Sequence, residues 1–206
     1  MKPIIFVRIA DMKRYRGVQP DDIPVNGGKY VDENQDANEA YNFERFVSSD
    51  GRNLCVGFAM MQNSTQLRIE NIIECELCKN SDYVEDVTVV FCSTRRDSKY
   101  MRVAGFYRHA KVYRNYQYME FKNGYLQDFL FEAESRDCVL IPYNERVKHK
   151  EWFVPLANDK DYGFGFGRSN IWFANNYKEN PKLESFVERM IASTDNYNGA
   201  NVIWEV

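Results

Sequence analysis

Histidine is nearly missing from this chain, and so are most of the short signatures that announce an enzyme. Only His109 and His149 occur in 206 residues, so a metal centre would have to be completed by cysteines or carboxylates. There is no GxSxG elbow, no Walker loop and no HExxH pair, which removes the commonest esterase, nucleotide-triphosphatase and zinc-protease readings. No apolar run approaches the roughly 20 residues of a membrane span. The apolar stretch after Lys2 and Pro3 is interrupted at Arg8 and is too short for a signal peptide. A cytoplasmic protein with no membrane contact is therefore expected. The five cysteines are an odd number: Cys55, Cys92 and Cys138 sit in strand-like contexts and Cys75 and Cys78 form a lone CxxC. That usage fits free thiols in a reducing compartment. Internal repeats and low-complexity tracts are also lacking.

What is present is apolar and aromatic residue in quantity, 44% and 15%, enough for one good core. The expectation is a single domain over 1–206, with a long loop or flap at about 18–50. The fold class expected is α+β, a strongly bent mixed sheet or small β-barrel with two or three flanking helices. Ile4 to Ile9 reads as a buried first strand. Residues 86–114 read as a long β-hairpin in which Ala104, Phe106, Ala110 and Val112 share one face and Gly105, Tyr107, His109, Lys111 and Tyr113 the other. Leu54 to Met61, Leu126 to Ala133 and Cys138 to Ile141 are further strands, and Gly57 marks a bulge or a close backbone approach. Residues 67–77 fit strand and helix equally. Asn180 and Pro181 open a helix whose apolar residues Leu183, Phe186, Val187, Met190 and Ile191 keep helical spacing.

The net charge of −3 conceals segregation. Between Asp21 and Asp50 there are eight acids against two bases, and between Arg95 and Arg114 seven Lys/Arg against one acid. A basic hairpin face can steer a polyanion, or the two stretches can neutralise each other.

Three function classes stay open. Glu74, Glu76 and Lys79, with Asp82, Glu85 and Asp86 nearby, supply the residue types of a Mg²⁺ nuclease. An aromatic groove could take a peptide. A binding module without its own catalytic centre is favoured, because basic residues, exposed aromatics and a glycine-rich backbone are what a splayed or flipped nucleobase requires. The segment WFVPLANDKDYGFGFGRSNIWF carries those aromatics and glycines, bracketed by Trp152 and Trp172. No cofactor is expected.

The order of elements, carried by RIADMKRYRG, GFYRHAKVYR and GFGRSNIWFA, resembles the small barrels of the PUA superfamily, in particular its EVE and YTH branches. It is also similar to the N-terminal sensor modules of modification-dependent restriction enzymes. The resemblance implies a PUA-like fold that reads a modified, methylated base of DNA or RNA, with DNA favoured, in an aromatic cage, as the sensor part of a restriction or defence system. It implies a nuclease domain or subunit as effector, in a partner or beyond this chain. Trp152 and Trp172 would form the cage, Asn170 would make the polar contact, and Ser169, Tyr41 and Phe166 would complete the base site. Arg95, Arg96, Arg102, Arg108, Lys111, Arg114 and Arg168 would hold phosphates.

Overall fold

A computed structural model describes residues 1–61, 66–72, 75–122 and 124–205. In chain order the strands are β1 (Ile4–Arg8), β2 (Arg45–Val47), β3 (Asn53–Gly57), β4 (Tyr83–Thr94), β5 (Met101–Glu120), β6 (Leu126–Glu134), β7 (Cys138–Leu140), β8 (Phe153–Val154) and β9 (Ile171–Trp172). They form one large mixed sheet in the order β2-β3-β6-β5-β4-β1-β9, with β7 and β8 also paired to β5. β1 runs parallel to β4, and every other pair is antiparallel. β5 organises the sheet, because its 20 residues use one edge for β4 and the other for β8, β7 and β6 in succession.

That arrangement bends the sheet, and β-bulges do the bending. On β4 the extra residue is Asp86, with φ of 59°, and on β5 it is His109, with φ of 51°. The two face each other through a 2.6 Å hydrogen bond between Asp86 Oδ1 and His109 Nδ1. A third irregularity lies where Phe91 pairs with Gly105 but Cys92 with Val103. These insertions undo the regular alternation expected of β5. Ala104, Ala110 and Val112 do share a face, but Phe106 packs on the opposite side, while Tyr107 turns into the core with the alanines. Each extra residue flips all side chains beyond it, so the aromatic and cationic face read from period two is not continuous.

The sheet is covered on both sides. One core holds Ile5, Val7, Phe43, Val89, Phe91, Tyr107 and Phe131 and is closed by residues 9–43 and by Leu67, Ile69, Ile72, Cys75 and Cys78. The other holds Ile4, Phe6, Val90, Phe106, Trp152, Phe166 and Phe186 and is closed by residues 152–177 and by a helix. That helix, α2 (Pro181–Asp195), starts as its sequence dictates: Asn180 Oδ1 accepts from the Leu183 amide at 3.2 Å and Pro181 occupies the first turn. It is the one helix of more than two turns among the described residues. The other, α1 (Lys29–Asn34), has six residues and no side-chain cap, and the remaining helical pieces are 3₁₀ turns. Residues 18–50 pack down rather than standing off, with Val31, Ala37, Ala40 and Phe43 buried.

Two glycines admit their neighbours by lacking a side chain. A Cβ on Gly57 would lie 2.7 Å from the Phe91 ring, and one on Gly105 would lie 2.4 Å from the Val139 carbonyl oxygen and 2.6 Å from Phe43. The cysteines divide differently from the expectation. Cys55, Cys92 and Cys138 are free and buried, whereas Cys75 and Cys78 form a disulfide, because the turn between them brings their Cα atoms to 5.6 Å.

Gly105→Ala is expected to lose at least about 1–3 kcal/mol to overpacking. Trp152→Ala, at a ring only 4% exposed and packed on Phe106 and Tyr197, is expected to lose about 3–5 kcal/mol. Both are read from the denaturant midpoint; an unchanged midpoint for Trp152→Ala would contradict a core role.

Candidate ligand pocket

β1 and β4 are adjacent and parallel, so both release the chain at the same end of the sheet, and diverging loops there leave a crevice. Asp11 lies just beyond β1 and Ser93 near the end of β4. Asp11 is 2% exposed, accepting from Ser93 Oγ and from Tyr143 Oη, each at 2.8 Å. Beneath it Arg146, 1% exposed, donates to the carbonyls of Ile141 (2.9 Å), Met12 (2.6 Å) and Lys13 (2.8 Å) and stands 3.9 Å from Asp11. Burial lowers the pKa of Arg146. Burial, followed by the bond to Asp11, raises Tyr143 to about 12, so it keeps its proton and donates. Tyr15, also buried, donates to the Ala10 carbonyl and accepts from the Met12 amide.

The loop after this network folds back on it. Asp11 and Val25 exchange backbone hydrogen bonds at 2.7 and 3.1 Å, the buried Asp22 carboxylate accepts from the amides of Lys13 and Arg14, and Asn26 donates to the Thr94 carbonyl. Between loop and network lies a cavity of about 510 Å³, within the range of small-molecule sites. Pro20, Ile23, Pro24, Val25 and Val31 give it an apolar wall; Lys13, Gln35, Arg96 and Tyr143 give it polar groups, and the carboxylates of Asp11, Asp21 and Asp22 line it as well.

The residues singled out from the sequence fall in several places. Trp152 and Trp172 belong to the second core rather than to this cavity. Trp172, partly buried, packs against Phe6, Phe164, Phe166 and Phe186 with centroids 4.8–6.3 Å away. Phe166 is buried beneath the Arg8 guanidinium, 5.0 Å from its centroid. Asn170 donates to the Met60 carbonyl, and Ser169 Oγ accepts from the Ile171 amide. Tyr41 lines a separate cavity. Among the candidate cations, four collect at the end of the sheet that carries the pocket. Arg95 and Arg96 follow β4, Arg102 pairs with Ser93, and Arg168 precedes β9 beside the end of β1. Arg95 is held by Asp97 and lies 4.4 Å from the Tyr143 ring centroid; Arg102 lies near the Tyr100 and Phe153 rings; Arg96 and Arg168 are exposed.

The other three cations point elsewhere. Arg108 lies over Phe106 and reaches the Asp195 carbonyl, and Lys111 sits 3.6 Å from the Tyr83 ring centroid with Glu85 at 3.9 Å. Arg114 is fully engaged, pairing with Glu70 at 2.9 Å and donating to the carbonyls of Cys78, Lys79 and Ser81. Of the nuclease trio, Glu74 lies outside the described residues, and Lys79 is exposed in a 3₁₀ turn, Glu76–Asn80. Sequence reasoning missed Asp11, Ser93, Tyr143, Arg146 and Gln35. The one available signal was an acid, Asp11, directly after a buried strand and between Ala10 and Met12.

Arg146→Met is expected to cost about 3–5 kcal/mol, since it strands Asp11 and removes the donor to three carbonyls. Tyr143→Phe should cost about 1–3 kcal/mol by removing one donor to a buried carboxylate. Urea unfolding of both variants checks the network, and wild-type stability in Arg146→Met would refute it. No protein-family model, curated protein or solved structure matches this chain.

Proposed function

We propose that the protein is a nucleic-acid-binding module that reads a modified base in the cavity over Asp11, as a sensor for an effector nuclease. One observation carries the reading: a cavity of about 510 Å³ with an immobilised polar floor opens at the end of the sheet where Arg95, Arg96, Arg102 and Arg168 collect. The wall from Pro20 to Val25 would lie against the face of the base, and Gln35 and Tyr143 would meet its polar edge. Lys13 and Arg96 at the rim would hold the flanking phosphates. This replaces the Trp152–Trp172 cage, whose rings are engaged in the second core. The PUA-like reading extends to a partly closed barrel, which the bulged β5, bonded along both edges, favours. Its setting would be the cytoplasm, and no helix of the described residues is long and apolar enough to cross a membrane.

The test is a binding panel of single- and double-stranded oligonucleotides, with and without methylated cytosine or adenine. Affinity should fall steeply with salt as counterions are released. Arg96→Glu should weaken binding about tenfold and reduce the salt slope by about one, similarly for all probes. Filling the cavity with Ile23→Trp should abolish discrimination between modified and unmodified probes while leaving the salt-dependent background. Absence of binding at low salt, or discrimination that survives Ile23→Trp, would overturn the proposal.

A further inference from the structure

A second cavity, about 430 Å³, lies on the other side of the turn Gln19–Asp22: Gln19 lines it, while Pro20, Asp21 and Asp22 line the first. Its composition differs from the first. Tyr41 stands in a stack of rings, 4.3 Å from Tyr125 and 5.2 Å from Phe121, with interplanar angles of 24° and 27°. Gly17, at φ of 84°, makes room for it, since a Cβ there would meet the Tyr41 ring at 3.0 Å. Arg16 is fixed by donating to the carbonyls of Val202 and Glu205, and Arg45 lies 4.5 Å from the Trp204 ring centroid. Lys122 completes the cationic side.

Glu44 also lines this cavity. Its carboxylate makes no hydrogen bond or ion pair among the described residues, although it is only partly exposed. Burial raises its pKa, and Arg16 and Arg45 oppose that rise. A partly desolvated acceptor beside a ring stack and cations is suited to a flat heterocycle bearing an amino group, on a phosphate-linked chain.

We infer that this cavity is a second base site, in which the ring stack of Tyr41 and Phe121 forms the apolar wall beside the base and Glu44 accepts from the exocyclic amino group of a base neighbouring the one read over Asp11. The inference rests on the nucleic-acid reading. It is distinguishable from it, because mononucleotides probe the second cavity without requiring a modified base in the first. At C4 cytosine carries an amino group and uracil a carbonyl, so a carboxylate facing that substituent accepts from the first and repels the second; N3 differs as well, an acceptor in cytosine and an N–H donor in uracil.

Titration of the full chain with cytidine and uridine monophosphates, followed by NMR, should show cytidine monophosphate binding about tenfold tighter and shifting the resonances of Tyr41. Glu44→Gln, near in shape, should bring the ratio close to one, because its amide can accept from cytosine and donate to uracil. Tyr41→Ala should weaken both nucleotides about tenfold. Ile23→Trp, which fills only the first cavity, should leave the ratio unchanged. Equal affinities in the parent chain, no saturable binding of either nucleotide, a preference retained in Glu44→Gln, or one lost in Ile23→Trp would each overturn the inference.

Discussion

β5 is the constraint on which the other elements depend. A strand that hydrogen-bonds along both edges over 20 residues cannot remain flat, since strand twist accumulates with length. Bulges relieve it, and here two of them oppose each other at Asp86 and His109. Leaving both edges of β5 occupied also places β1 outside β4, where a parallel pair can form. The crevice beyond Arg8 and Thr94 is a consequence of that pairing.

What fills the crevice is a polar network built on a buried cation. A lone guanidinium in a protein interior is costly, and Arg146 offsets the loss of water with three carbonyls drawn from two distant segments. The same contacts fix the path of residues 11–13, and hence the position of the loop that returns through Asp22 and Val25 to wall the cavity. A floor held in this way presents its polar groups in one geometry, which is the condition for discriminating ligands that differ by a single substituent.

Charge segregation along the chain turned out to be a poor guide to charge in space. Asp21, Glu33 and Asp50, three of the eight acids of residues 21–50, find cations close by, in Arg14–Asp21, Lys29–Glu33 and Arg52–Asp50. The basic hairpin is split by the length of β5, so that Arg95, Arg96 and Arg102 stand at one end while Arg114 is committed to Glu70 near the other. A run of like charges on a strand spans about 3.3 Å per residue, and over 20 residues it cannot be one site.

Elements governed by neighbouring residues were determined by the sequence alone. The helix from Pro181 follows from its cap and spacing, the hairpin from two β-branched and aromatic runs around a polar turn, and the close approach at Gly57 from a glycine inside an apolar strand. The faces of β5 were not, because a bulge depends on how two strands accommodate bending and leaves no mark in the alternation itself. The tryptophans were equally undecided: Trp172 beside Ser169 and Asn170 reads as an exposed ring until Phe6, Phe164 and Phe186 are seen against it. The pocket belongs wholly to tertiary structure. Asp11, Ser93 and Tyr143 carry no shared motif, and the bond from Arg146 to Met12 spans 134 residues of chain, a distance that only the packing of the bent sheet closes.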